Sequence, residues 1–211
     1  MPDAKSLDNL ETVECVSCTT MPPDLLSLPV FIVNLEKRTD RKQHMTQLMD
    51  NLGFTKYEFV VPIDPQIAIK SRIFKYDNIV TEFKSWSPTE ITLPKASHIL
   101  TYLNIMNTNK DTPYFFILED DIKIIDSSQD YSDVVKQMER SLYEAMYQNF
   151  DLLYYEYCLE KCINTTEISS NLNKLYAPLC AACILYSTSG CNKILSDYLL
   201  NNASEYSDID E

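Results

Sequence analysis

The sequence has 211 residues, of which 45% are hydrophobic and 23% charged, and its net charge is −13. A chain of this size can bury the core of one substantial domain. The negative charge excludes nucleic-acid backbones as the main partner, and no apolar run reaches the length of a membrane span. The segment Met1–Lys5 lacks the apolar stretch of a signal peptide, so we expect a cytoplasmic protein.

The first 27 residues show no hydrophobic periodicity and contain Pro22-Pro23. Such a segment cannot form a core-facing element by itself, and we predict that residues 1–27 form a flexible N-terminal arm. Residues 28–211 then form the one globular domain.

The domain opens with a strand, a helix and a second strand. Pro29–Leu35 is a continuous apolar run, typical of a strand buried on both faces. A helix is predicted from Asp40, which forms a capping box with Gln43, and it ends at Gly53. Tyr57–Ile63 is the second strand. This order predicts an α/β fold with a right-handed crossover.

The remaining patterns alternate in the same way, while residues 66–90 suggest only a short helix and a loop. The predicted elements are a helix over 93–106, strands over 114–119 and 122–125, a helix over 130–148, strands over 151–155, 174–179 and 182–186, and a last helix capped by Ser187–Ser189.

An acidic cluster follows the most apolar strand. Tyr114–Leu118 runs directly into Glu119, Asp120 and Asp121. Ligands of open α/β sheets bind at the carboxyl ends of strands, and three adjacent carboxylates repel one another unless a positive charge lies among them. Oxygen ligands suit Mg²⁺ and Mn²⁺, so we predict a metal site here. The alternative is a solvated acidic turn.

A basic turn follows the first strand at the same edge of the predicted sheet. It contains Asn34, Arg38, Asp40 and Arg41. Guanidinium groups match phosphate oxygens, and the start of a helix adds partial positive charge. Gly53 and Gly190 are the two glycines of the chain, so a glycine-rich phosphate loop is excluded and side chains must hold any nucleotide. The alternative is a solvated surface turn.

Two further groups are candidates. Ser97-His98 lies within the helix predicted over 93–106, where His98 either is a half-buried structural residue or hydrogen-bonds a ligand. Asp208 and Asp210 follow the last helix, where a carboxylate is either a general base or part of an acidic tail.

Four blocks of the sequence resemble glycosyltransferase family 25, which includes bacterial lipooligosaccharide and procollagen galactosyltransferases. The blocks, in order, are Val30-Phe31-Ile32-Val33-Asn34-Leu35-x-x-Arg38-x-Asp40-Arg41, Ser97-His98, Phe116-Ile117-Leu118-Glu119-Asp120-Asp121 and Tyr186-Ser187-x-x-Gly190-Cys191. The resemblance spans about residues 28–210.

The resemblance implies a GT-A-type single domain with a central, mostly parallel sheet flanked by helices. It implies inverting transfer of a hexose, galactose or glucose, from a UDP-sugar to a glycan or protein acceptor, with Mn²⁺ or Mg²⁺ as cofactor. Asp121, with Asp120 and Glu119 beside it, would bind the metal. Asn34, Arg38, Asp40, Arg41, Ser97, His98 and Asp120 would bind the donor, and Asp208 or Asp210 would be the base. The missing signal peptide suits a bacterial or viral member.

Two alternatives stay open at this point. Leu93-Pro94-Lys95-Ala96 replaces the Gly-Cys pair that the family often has before Ser-His, and the chain ends soon after Asp210. Both features suit a family-25-like binding or scaffold module without catalysis. A sugar-nucleotide pyrophosphorylase is the third candidate, and the scarcity of glycine speaks against it.

Overall fold

A five-stranded sheet forms the centre of the protein in this computed structural model, which describes residues 22–64, 93–124, 129–155, 166–175 and 182–203. The strands in chain order are β1 (Val30–Val33), β2 (Tyr57–Val60), β3 (Tyr114–Glu119), β4 (Leu152–Tyr154), β5 (Thr166–Ser169), β6 (Leu172–Lys174) and β7 (Cys183–Ser187). The helices are α1 (Thr39–Leu52), α2 (Leu93–Thr108), α3 (Tyr131–Tyr147) and α4 (Thr188–Ala203).

The sheet has the strand order β2-β1-β3-β7-β4. Strands β2, β1 and β3 are parallel to one another, whereas β7 is antiparallel to both of its neighbours, β3 and β4. Strand β4 therefore runs in the same direction as β1, β2 and β3. The predicted α/β class with a mostly parallel central sheet is confirmed. Val33 pairs with Glu119, and the first strand therefore ends beside the acidic cluster.

The central strand β3 packs on both faces of the sheet. Phe116 and Leu118 face a core shared with α1 and α3. Phe115 and Ile117 face a second core shared with α2 and α4. Each fully buried phenylalanine contributes about 1.5–3 kcal/mol by leaving water, which explains why this apolar run lies at the centre. The result is a layer of helices on each side of one sheet.

Helix α1 lies where its pattern predicts it, but its start differs from the prediction. Four apolar residues face the core, and they are Met45, Leu48, Met49 and Leu52. Gly53 ends the helix with a φ of 85°, a left-handed conformation that glycine adopts without strain. The predicted capping box is wrong. Arg38 is the N-cap and its side chain makes no capping hydrogen bond to the helix backbone, while Asp40 lies inside the first turn.

The last part of the predicted arm packs against the domain. Leu25 lies in a short 3-10 turn, Leu25–Ser27, and only 1% of its surface is exposed. Thr55, just after α1, donates a backbone hydrogen bond to the Leu26 carbonyl. Residues 1–21 lie outside the described residues, so the boundary of the arm stays a prediction.

One predicted strand differs from the structure, and a second lies largely outside the described residues. Residues 122–124 form no strand, since the carbonyl of Ile122 contacts His44 Nε2 and not a neighbouring strand, while the Ile122 side chain is 9% exposed in the core. Of the strand predicted over 174–179, Lys174 ends β6, which pairs with β5 in a separate hairpin. Residues 176–181 lie outside the described residues, as do residues 66–90.

Candidate functional site

A cavity of about 580 Å³ opens at the carboxyl ends of β1, β2 and β3, against the start of α2. Its lining combines apolar, basic and acidic side chains. They are Val33, Leu35, Arg38, Arg41, Pro62, Asp64, Pro94, Ser97, His98, Glu119, Asp120 and Asp121. This is the edge at which open α/β sheets bind ligands.

Asn34 and Asp120 are two buried polar residues at this end of β1 and β3. Asn34 is 3% exposed and Asp120 is 7% exposed. The Asn34 Nδ2 group donates to Asp120 Oδ2 at 2.7 Å and to the carbonyl of Arg38 at 3.3 Å. One amide thus connects the ends of two neighbouring strands and the turn that leads into α1.

Arg41 provides positive charge among the acids. Its Nη1 lies 2.6 Å from Asp120 Oδ1 and 3.0 Å from Asp121 Oδ2. The hydrogen bond to Asp120 raises the pKa of Arg41 above its ordinary value, and burial opposes that rise. The repulsion expected between adjacent carboxylates is therefore reduced by a side chain from α1.

His44 fixes the chain just after the acids. Its Nε2 lies 3.0 Å from the carbonyl oxygen of Ile122. Because a carbonyl can only accept, Nε2 carries the proton. Arg41 and His44 lie three positions apart on α1, so one face of this helix contacts both the acidic cluster and Ile122, the residue that follows it. This contact gives His44 a structural role.

His98 lies on α2 with its ring stacked on Tyr102, at a distance of 4.4 Å between ring centroids. Its Nε2 is 3.6 Å from Glu119 Oε1, which would favour a protonated ring. Burial nevertheless lowers the pKa of His98, and the separation exceeds hydrogen-bonding distance, so desolvation decides. Burial thus favours the neutral imidazole, which can both donate and accept a hydrogen bond.

Ser97 holds the segment that follows β2. Its hydroxyl donates to the Ile63 carbonyl at 2.6 Å, and Thr101 Oγ1 accepts from the Ile63 amide at 2.9 Å. The hydroxyl proton of Ser97 is thus used within the protein. Donor binding by Ser97 stays a prediction, while its observed contact positions the wall formed by Pro62 and Asp64.

Arg38 reaches the cavity, whereas Asp40 points to solvent beside it. Two hydrogen bonds of 2.9 and 2.8 Å join the Arg38 guanidinium to the Asp40 carboxylate. The guanidinium holds the pKa of Asp40 well below its usual range. Of the two, Arg38 belongs to the cavity lining and Asp40 does not, and donor binding by either residue stays a prediction.

The acids differ in what they can offer a metal. Among the described residues, no three His, Cys, Asp or Glu side chains converge as a cluster that could hold an ion. Both oxygens of Asp120 accept hydrogen bonds, while Asp121 is 50% exposed. Mg²⁺ commonly binds through one or two carboxylates plus substrate phosphates, and the metal site at these acids stays a prediction.

Some predicted residues do not meet at this site, and some lining residues were missed. Asp208 and Asp210 lie outside the described residues. The block around Gly190 lies at the opposite edge of the sheet, because β7 is antiparallel and Ser187 pairs with Tyr114. Asp64 was missed, although its place after a strand parallel to β1 is a usable signal.

The fold and this cavity define an α/β domain of the GT-A type, with its ligand edge formed by parallel strands. The family model of glycosyltransferase family 25 (LPS biosynthesis protein) matches residues 27–188, and the chain belongs to this family. The resemblance found in the sequence is confirmed, and the family supports glycosyltransferase activity. A comparison with curated proteins finds no match. In the described part of the chain, the helices are too short or too polar to cross a bilayer.

Proposed function

We propose that the protein is a metal-dependent, inverting glycosyltransferase that moves a hexose from a UDP-sugar to a hydroxyl of a glycan or glycosylated protein. The observation that carries this proposal is the convergence of Arg38, Arg41 and Asp121 at one cavity in a family 25 domain. Galactose or glucose as the sugar, and a cytoplasmic location, stay predictions from the sequence.

The two arginines bind the donor diphosphate in this proposal. Arg41 lies at the first turn of α1, where the helix dipole adds to its charge, and Arg38 precedes it at the N-cap. Guanidinium forks can grip two phosphate oxygens at once. This grip by side chains suits a chain whose glycines, Gly53 and Gly190, both lie outside the cavity lining.

Asp121 and Glu119 are the residues that would hold the divalent cation. When bound, Mn²⁺ or Mg²⁺ supplies Lewis-acid stabilisation of the charge that develops on the leaving diphosphate. Val33 and Leu35 add apolar surface to the same lining.

The transfer balances as a single displacement. An oxygen of the acceptor hydroxyl forms a bond to the anomeric carbon, while the bond from that carbon to the UDP phosphate oxygen breaks and UDP keeps the electron pair. A carboxylate takes the hydroxyl proton, and Asp208 or Asp210 is our candidate for that base. Attack from the face opposite UDP inverts the anomeric centre.

Release of UDP tests this function. We would incubate the protein with UDP-galactose or UDP-glucose and Mn²⁺, with and without a chelator, and measure UDP. Asp121→Ala is expected to weaken metal-dependent UDP binding at least tenfold. It should lower the melting temperature by no more than about 4 °C, because the contact it removes is a half-exposed ion pair.

Asp111→Ala is the matched control. It removes the same charge from an exposed position before the amino end of β3, at the opposite edge of the sheet. UDP binding that is equal in wild type, Asp111→Ala and Asp121→Ala would contradict the proposed site. The binding-module alternative, favoured by Leu93–Ala96, predicts metal-dependent UDP binding without release from any donor.

A further inference from the structure

Asp120 differs from its two acidic neighbours in its surroundings. Its side chain is 10% exposed, against 34% for Glu119 and 50% for Asp121. One carboxylate oxygen accepts from Asn34 at 2.7 Å and the other from Arg41 at 2.6 Å. This carboxylate therefore faces the protein, although the sequence places it in the middle of the acidic cluster.

Moving the Asp120 carboxylate away from Asn34 and Arg41 would destabilise the site. Asn34 is 3% exposed, and its amide would lose the acceptor that it contacts in a buried place. An unsatisfied buried donor destabilises a protein by more than a normal hydrogen bond stabilises it. Arg41 would lose the closer of its two carboxylates. Turning Asp120 toward a cation would thus break two contacts that hold the site together.

Arg41 gains its orientation from the same carboxylate. The guanidinium is one-third exposed and projects from the first turn of α1, where an arginine has many rotamers. The short contact to Asp120 selects a conformation in which Nη1 also reaches Asp121, at the cavity. A buried, fixed acceptor of this kind preorganises a binding side chain.

We propose that Asp120 is a positioning residue and not a metal ligand: held by Asn34, it fixes Arg41 in the conformation that binds the phosphates of a nucleoside diphosphate. The inference rests on the proposed function and deepens it. It divides the acidic cluster, with Asp121 facing the ligand and Asp120 acting through Arg41.

A double-mutant cycle on UDP binding separates the two roles. Asp120→Asn keeps the side-chain volume and removes the charge, and Arg41→Ala removes the group through which Asp120 is proposed to act. Asp120→Asn alone is expected to weaken UDP binding about tenfold, the scale of a hydrogen bond to a charged group. In the Arg41→Ala background the same substitution is expected to change the affinity by less than about twofold.

The Mn²⁺ dependence supplies a readout that a merely structural role would not move. Asp120→Asn is expected to keep the tightening of UDP binding by Mn²⁺, which Asp121→Ala loses. Asp133→Asn is the control, since it breaks an exposed 2.9 Å ion pair with Lys136 on α3 and should leave UDP binding unchanged. If Asp120→Asn fails to fold, Asn34→Ser reaches the same carboxylate from the other side and should show the same dependence on Arg41.

Each outcome decides a different question. Equal losses from Asp120→Asn in both backgrounds, or loss of the Mn²⁺ effect in Asp120→Asn, would overturn the positioning role and leave the proposed function standing. Wild-type protein that binds no UDP, with or without Mn²⁺, would overturn the proposed function and this inference with it.

Discussion

Gly190 lies where helix α4 begins and the chain entering β4 passes closest to it. A Cβ atom added at this position would lie 2.2 Å from the carbonyl oxygen of Asp151 and 2.7 Å from its carbonyl carbon. Both atoms belong to the backbone, so no side chain can move aside. Gly190→Ala therefore has to separate the two elements by roughly 1 Å to restore ordinary contact distances.

The expected loss follows from the contacts at this junction. The Asp151 carbonyl accepts from the backbone amide and from the hydroxyl of Ser187, both at 3.1 Å, and that hydroxyl accepts from the Gly190 amide. Overpacking costs about 1–3 kcal/mol, and each weakened hydrogen bond about 0.5–1.5 kcal/mol. The better helix propensity of alanine offsets at most about 1 kcal/mol. We expect a net loss of about 2–4 kcal/mol.

Urea unfolding measures this loss, because a lower midpoint with an unchanged slope reports stability alone. In a chain of this size the melting temperature should fall by roughly 4–16 °C. Gly53 supplies the contrast. Its φ is 85° and the nearest atom to an added Cβ is Leu26 Cδ1 at 3.5 Å, so Gly53→Ala is a problem of backbone conformation and costs about 1–2 kcal/mol.

Substitution by asparagine distinguishes lack of space, the cause at Gly190, from backbone conformation, the cause at Gly53. It tolerates the left-handed region, so Gly53→Asn should cost less than Gly53→Ala. At Gly190 the cause is space, and Gly190→Asn should cost at least as much as Gly190→Ala. A Gly190→Ala protein as stable as the wild type, or one rescued by asparagine, would refute the reasoning from close approach.

Two further predictions concern the same fold. Lys193 and then Ser189 hold the pKa of Asp151 below its ordinary value, so its ionised form stabilises the fold above about pH 4 and that gain disappears as pH falls through the folded-state pKa. Asp151→Asn should lower the free energy of unfolding by less than about 1 kcal/mol at pH 7, because the pair is exposed, and by progressively less as the pH falls through the folded-state pKa. A difference that stays constant in urea titrations over this pH range would contradict this. Leu25→Ala should cost about 2–5 kcal/mol, whereas Leu35→Ala, at a half-exposed leucine, should cost under about 1 kcal/mol; equal effects would show that the 3-10 turn is not part of the core.

The sequence was informative where periodicity and burial coincide. The limits of β3 follow from its apolar run. The buried face of α1 follows from apolar residues spaced three and four positions apart, a pattern that is typical of a helix. The basic turn and the acidic cluster were placed at one edge by topology alone, since parallel strands end together. The cavity confirms that placement for Arg38, Arg41 and Asp121.

The partners within the site could not be read from the sequence. The prediction of a cation rested on repulsion between adjacent carboxylates, and the structure places Arg41, 79 positions away from Asp120, among them. Which side chain fills that place depends on strand register and on the direction in which α1 leaves β1. The metal itself stays a prediction.

The hairpin of β5 and β6 was missed for a related reason. Its strands carry polar residues on both faces and bury little, so they give no alternating pattern. Contacts with α3 support them, since Glu144 accepts hydrogen bonds from Ser169 and Asn171. A segment stabilised mainly by another element leaves a weak signal in its own sequence.

Helix α1 carries residues of the hydrophobic core as well as residues of the candidate site. Met45 and Met49 are 0% and 1% exposed, and they follow Arg41 and His44 on the same helix. A substitution that tilts the helix by changing either methionine would also shift the guanidinium, and misplacement by about 1 Å can reduce an enzymatic rate about a hundredfold. Variants far from solvent could thus resemble damaged active sites, and only paired measurements of folding and turnover would tell the two apart.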